Sequence, residues 1–320
     1  MILHVWSIPE NVPAHNTVFY SFIQQIREVF FHDSTIYFIF ISGFLFHYLS
    51  PRFEILRYYK SKFQIVALPY LFMTTVVLIL YYDEYGISVS YSGLRKIIYI
   101  FVYGGAQLQY WYIPFICIVF AVSPLLLKIP SRKLTQLSPI FFILPLLGTR
   151  TGTQLSLGQY LYFFPIYILG MVCSANYEKI EPFLMKHVKM FLTLSMIFLP
   201  VVYFADKIDF NIKFIDLYES VHYIHKMMMI SVLLVFFKKI EHLNFKILDL
   251  LAVYSFSLYF THYLVFLFTS ESFYKLIGNV GPFLVPISIM YSLLVVLMAL
   301  SLCVLVKKLF RTKAKFLIGA

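Results

Sequence analysis

The chain has 320 residues, is 61% hydrophobic and only 13% charged, and its mean hydropathy is +0.81. A soluble domain carries about 25% charged residues, so this composition excludes a soluble globular protein and points to one that crosses a membrane repeatedly. The formal charge of +11 does not imply nucleic acid, because the basic residues fall between apolar runs, where the positive-inside bias places them.

A helix needs about 20 mostly apolar residues to cross the hydrocarbon core. On that measure spans are expected at about 29–50, 63–82, 109–128, 139–149, 159–175, 189–205, 221–237, 247–269 and 283–306. The expected fold is all-α: one polytopic transmembrane bundle over 1–320, with about nine spans. The fourth stretch is short and holds Pro139 and Pro145, which predicts a broken or re-entrant helix. Segment 91–104 carries Leu94, Ile97, Ile98 and Phe101 at helical spacing and reads as an interfacial helix or part of a bent span.

Lys and Arg set the orientation. Arg52, Arg57, Lys60 and Lys62 follow the first span, and every second connection after it is again basic-rich, ending in a tail with Lys307, Lys308, Arg311, Lys313 and Lys315. That side is expected to be cytoplasmic. Nine spans then put Met1 outside. One further span upstream of Met1 would put both termini inside, and about ten spans in all.

Single residues carry weaker signals. Cys117, Cys173 and Cys303 lie in apolar runs without metal spacing and are expected to pack. Ser42 and Gly43 suit a close helix–helix approach. Lys226 sits inside a span, so it is expected to face a cavity, a partner or the interface. His222 and His225 are three apart, but no carboxylate pattern accompanies them and no metal is expected there. Arg150, between Gly148 and Gly152, is either a site residue or a snorkelling arginine.

Five segments share an order with one family. Residues 38–45 (FIFISGFL), 58–72 (YYKSKFQIVALPYLF), 110–115 (YWYIPF) followed by 123–126 (SPLL), 162–171 (YFFPIYILGM) and 255–262 (SFSLYFTH) resemble the recurring motifs of the membrane-bound acyltransferase-3 family. The resemblance implies about ten membrane helices and transfer of an acyl group, often acetyl, from cytoplasmic acyl-CoA to a hydroxyl on an outward-facing sugar or glycolipid. It implies no bound cofactor, acyl-CoA being a co-substrate. The expected partners are the acyl-CoA donor, a glycan or glycolipid acceptor and membrane lipids, in a multi-pass plasma-membrane protein.

The resemblance also places roles. The opening MILHVW looks like the end of the family's first helix, so His4 falls on the family's histidine, and imidazole suits a base that works near neutral pH. The family's arginine eleven positions earlier falls before Met1. The family's paired arginines before the "PYL" span start are replaced by Lys60 and Lys62, which can meet a CoA phosphate as point charges but not in bidentate fashion. Trp111 lines a cavity, stacks on a sugar or anchors at the interface, and His262 shapes the acceptor pocket or bonds a helix carbonyl. The alternatives to an acyltransferase are an exporter of polysaccharide or lipid-linked sugar and an inactive truncated homologue.

Overall fold

The computed structural model describes residues 6, 8, 10, 15, 17–83, 85, 86, 91–150, 154–205, 215–278 and 280–320. Its described residues form helices joined by turns and short irregular segments, with no strand. The helices are α1 (Val18–Phe31), α2 (Thr35–Tyr48), α3 (Ile55–Leu80), α4 (Tyr91–Tyr103), α5 (Tyr112–Leu126), α6 (Ser131–Gln136), α7 (Ser138–Leu147), α8 (Leu157–Ala175), α9 (Tyr177–Ala205), α10 (Leu217–Ile240), α11 (Lys246–Ile277), α12 (Leu284–Phe310) and α13 (Ala314–Leu317).

Among the described residues, seven helical stretches are long and apolar enough to span a bilayer: Val18–Tyr48, Ile55–Leu80, Leu157–Ala175, Tyr177–Ala205, Leu217–Ile240, Lys246–Ile277 and Gly281–Leu317. The expected count of nine is not reached. The third and fourth expected spans correspond to α5 and α7, and both fall short. At 1.5 Å per residue the 15 residues of α5 reach about 22 Å, less than the ~30 Å hydrocarbon thickness. Helix α7 breaks as its prolines predict, into α-helix Ser138–Ile143 and a 3-10 turn Leu144–Leu147 that begins just before Pro145. Segment 91–104 does form a helix of its own, α4.

The chain divides into two compact units, one from Met1–Phe30, Leu56–Phe120 and Phe245–Ala320, the other from Phe31–Ile55 and Ala121–Asn244. In the first, α3 contains a π-helical turn, Phe63–Ala67, in which the Leu68 N–H reaches back five residues to the Phe63 carbonyl. Pro69 follows directly. Proline has no N–H to give an α-helical ladder, and a local change of winding absorbs that loss.

In the second unit α2 and α8 touch backbone to backbone. A Cβ on Gly43 would overlap the Tyr167 carbonyl, and one on Gly170 would overlap the Phe40 carbonyl. Two glycines, one on each helix, therefore set the separation, the small-residue packing expected at Gly43. The α1–α2 junction turns at Asp33, a non-glycine residue at φ 57°. Aspartate tolerates that left-handed region better than most residues.

Candidate functional site

In the second unit the Asp33 turn meets α8, the start of α10 and the segment after α7. Asp33 is 1% exposed. Its Oδ1 accepts from Arg150 Nη1 at 2.7 Å, and its Oδ2 accepts from the Tyr162 hydroxyl. That hydroxyl also lies 3.1 Å from the Glu219 backbone carbonyl. Asp216 caps α10, its Oδ1 accepting from the Glu219 N–H at 3.1 Å while Thr149 donates to its Oδ2. This cap fixes the first turn of α10, which directs Glu219 inward.

The Glu219 side chain is fully buried and neither of its oxygens accepts a hydrogen bond. Its nearest basic neighbour is His32 Nε2 at 3.6 Å. His32 Nδ1 pairs with the Tyr218 hydroxyl at 3.3 Å, and the His222 ring lies 4.3 Å from the His32 ring. One turn further along α10, Lys226 is fully buried, 6.0 Å from the Tyr37 ring centre, and His225 Nε2 pairs with Ser195 at 3.1 Å. Lys226 therefore lies in the interior of the second unit. Burial works against the charge on Arg150, but Asp33 and Glu219 beside it outweigh that and hold its pKa above the ordinary guanidinium value. Arg150 is thus a paired, structured residue rather than a free snorkelling one.

The first unit presents a different surface chemistry. Lys60 and Lys62 are two apart on one helix and so face different ways. Lys60 is exposed, as is Arg57 three residues earlier. Lys62 lies with its ammonium 4.1 Å from the Phe120 ring centre and 5.6 Å from that of Tyr58. The two lysines expected to act together are therefore separated, and Arg57 is the residue that shares the Lys60 face.

Segment 104–111 leads into Trp111 and is held by three tyrosines, with a fourth, Tyr70, on the end of α4. Tyr70 donates to the Phe101 carbonyl at 2.6 Å, Tyr85 to that of Ala106 and Tyr259 to that of Gln109, while Tyr110 donates to Phe260 at 3.2 Å. Gly104, at φ 72°, makes the turn that brings the Tyr110 carbonyl against it. Trp111 is half-buried, 6.4 Å from the Phe115 ring. His262 is buried, and its Nδ1 lies 2.7 Å from the Leu258 carbonyl. A carbonyl only accepts, so Nδ1 carries the proton and Nε2 is the ring's other face. His4 lies outside the described residues. Trp6, the described residue nearest to it in sequence, is buried and donates to Ser292 at 2.8 Å.

Of the residues singled out from sequence, Lys60, Lys62, Trp111 and His262 belong to the first unit and Arg150 to the second. Arg150 lies inside an ionised cluster, and His222, where no metal was expected, lies against it, its ring 4.3 Å from that of His32. The Arg150 partners Asp33, Glu219 and His32 went unmarked, although an acid within an apolar run is itself a signal because charge at membrane depth is costly.

Helical spans, buried charge and an ordered aromatic loop define a membrane protein with a polar interior, a class that holds enzymes and transporters alike. The family model of acyltransferase-3, described as an acyltransferase domain, matches residues 1–308, and the chain belongs to that family. No curated protein and no solved structure matches the chain significantly.

Proposed function

We propose that the chain is a plasma-membrane O-acyltransferase that moves an acyl group, acetyl being the expected one, from cytoplasmic acyl-CoA to a hydroxyl of a cell-surface polysaccharide or lipid-linked glycan. The observation that carries this reading is the family match over 1–308, which includes His4, both lysines, Trp111, Arg150 and His262. The acceptor oxygen attacks the thioester carbonyl, the C–S bond breaks, and the hydroxyl proton ends on the departing CoA sulfur. His4 acts as the base that takes that proton first. Lys60, exposed on the basic-rich side, meets the CoA phosphates, with Arg57 beside it. Trp111 and His262 shape the acceptor side, with Arg150 as a further substrate-binding residue.

The test is His4→Ala. O-acetyl content of the cell's glycan is expected to vanish while the protein stays in the membrane at the normal level, and unchanged acetate content defeats the proposal. Labelled acetyl-CoA given to purified protein with a glycan acceptor separates this reading from an exporter, which leaves the thioester intact.

A further inference from the structure

The ionised cluster of the second unit contains a set of groups that the acyl-transfer reading leaves unused. His32, Asp33 and Glu219 are all buried, and one potential ligand atom from each lies within 4.8 Å of the other two. An ion midway across a pair at that limit is about 2.4 Å from both of its atoms, close to the ~2.0–2.2 Å of zinc bound by imidazole and carboxylate. We infer that these three side chains bind a divalent metal ion of the class that takes one imidazole and two carboxylates, zinc or manganese.

Three features of the site suit a cation. The first is Glu219: a carboxylate with no exposed surface and no hydrogen-bonded oxygen is costly to bury unless a positive partner faces it. The second is the orientation of His32. Its Nδ1 meets the Tyr218 hydroxyl, so with that nitrogen as donor the Nε2 lone pair points at Glu219, 3.6 Å away. In that tautomer the two lone-pair atoms repel and a cation between them turns the repulsion into ligation, whereas an Nε2–H would donate to the carboxylate instead. An imidazole fixed through its remote nitrogen is the usual support for a metal-bound histidine.

The third observation is the support around Asp33. Arg150 occupies Oδ1 and Tyr162 occupies Oδ2, each leaving a second lone pair on its oxygen. The carboxylate is thereby held in one orientation. Arg150 offsets one of the two carboxylate charges, so a divalent ion leaves the site with a single excess positive charge. Lys226 lies further along α10 and supplies no ligand. Because Glu219 lies in α10 and Asp33 in the turn between α1 and α2, the ion ties the start of α10 to that junction.

The full chain, purified in detergent through a tag that binds no metal, is stripped with a chelator and offered zinc or manganese. Bound metal is counted by mass spectrometry, and thermal unfolding is followed in parallel. The expected result is about one ion per chain with a higher melting temperature. Glu219→Gln and His32→Gln retain at least about tenfold less metal, and Tyr218→Phe binds it about tenfold more weakly. Less than about a tenth of an ion on the wild type with either metal, without a change in melting, overturns the inference and leaves an imidazolium–carboxylate pair in its place. Metal retained in full by both Tyr218→Phe and Glu219→Gln overturns it equally, and if Glu219→Gln does not fold, Tyr218→Phe and the wild-type titration decide.

Discussion

The two units bury polarity in opposite ways. In the first, the described buried polar side chains are neutral or histidine: Thr74, Gln107, Gln109, Ser257, Thr261, His262 and three serines of α11 and α12. Its lysines stay at the surface or lie over aromatic rings. In the second, Asp33, Glu219 and Lys226 are inside, with Arg150 reaching in. A hydroxyl on a carbonyl holds a helix in place cheaply, since it needs one partner. A buried carboxylate needs opposite charge, and its arrangement fails as a whole when one member is removed. The first unit is built as a tolerant frame and the second as a charged interior with little tolerance.

The largest effect expected of this contrast is at Asp33. Asp33→Asn removes the charge that Arg150 faces, and breaking a buried pair costs about 3–5 kcal/mol. The lower figure applies here because the Arg150 side chain is 24% exposed and keeps some contact with water. Thermal unfolding in detergent is expected to show a marked loss. Asp33→Asn combined with Arg150→Gln is expected to recover part of it, since no uncompensated charge remains. Equal stability of Asp33→Asn and wild type would erase the distinction between the units.

Next comes Tyr259 in the first unit. Its hydroxyl donates to the Gln109 carbonyl, which also accepts from the Tyr112 N–H at 3.3 Å, so Tyr259→Phe removes one of two bonds to that oxygen at a cost of about 0.5–1.5 kcal/mol. The loss is expected to loosen segment 104–111 and to appear as faster hydrogen exchange there, with a smaller drop in melting temperature than Asp33→Asn. A drop as large as that of Asp33→Asn would show the neutral frame to be as brittle as the charged interior.

The fold was legible because hydropathy reports burial in lipid whatever the partner. The long spans follow from it, and so does the break in α7, since Pro139 and Pro145 act locally. The short α5 was not legible. The expected span began at 109, but Gly104 and the hydroxyls of Tyr85, Tyr110 and Tyr259 hold 104–111 in a turn, so the helix starts only at Tyr112. The ionised cluster was hidden for another reason: Asp33 and Arg150 are 117 residues apart and His32 and Glu219 farther still. No periodicity joins them. Lys60 and Lys62 show the reverse error, since closeness in sequence suggested a pair that helical geometry separates.

That separation gives the smallest and most selective effect. Lys60→Gln is expected to leave melting unchanged, because the side chain is exposed and surface substitutions stay within about 0.5 kcal/mol. If Lys60 meets a CoA phosphate, its loss raises KM for acyl-CoA about tenfold, the scale of one charge-assisted contact of about 1.5 kcal/mol. Lys62→Gln is expected to behave oppositely. It loses the Phe120 and Tyr58 ring faces, about 0.5–1 kcal/mol, so melting falls slightly while KM moves by less than about twofold. The two measurements on both variants separate donor binding from packing on one helix. If Lys62 rather than Lys60 governs KM, the thioester donor approaches the aromatic face of α3, and surface charge on the first unit is not what holds it.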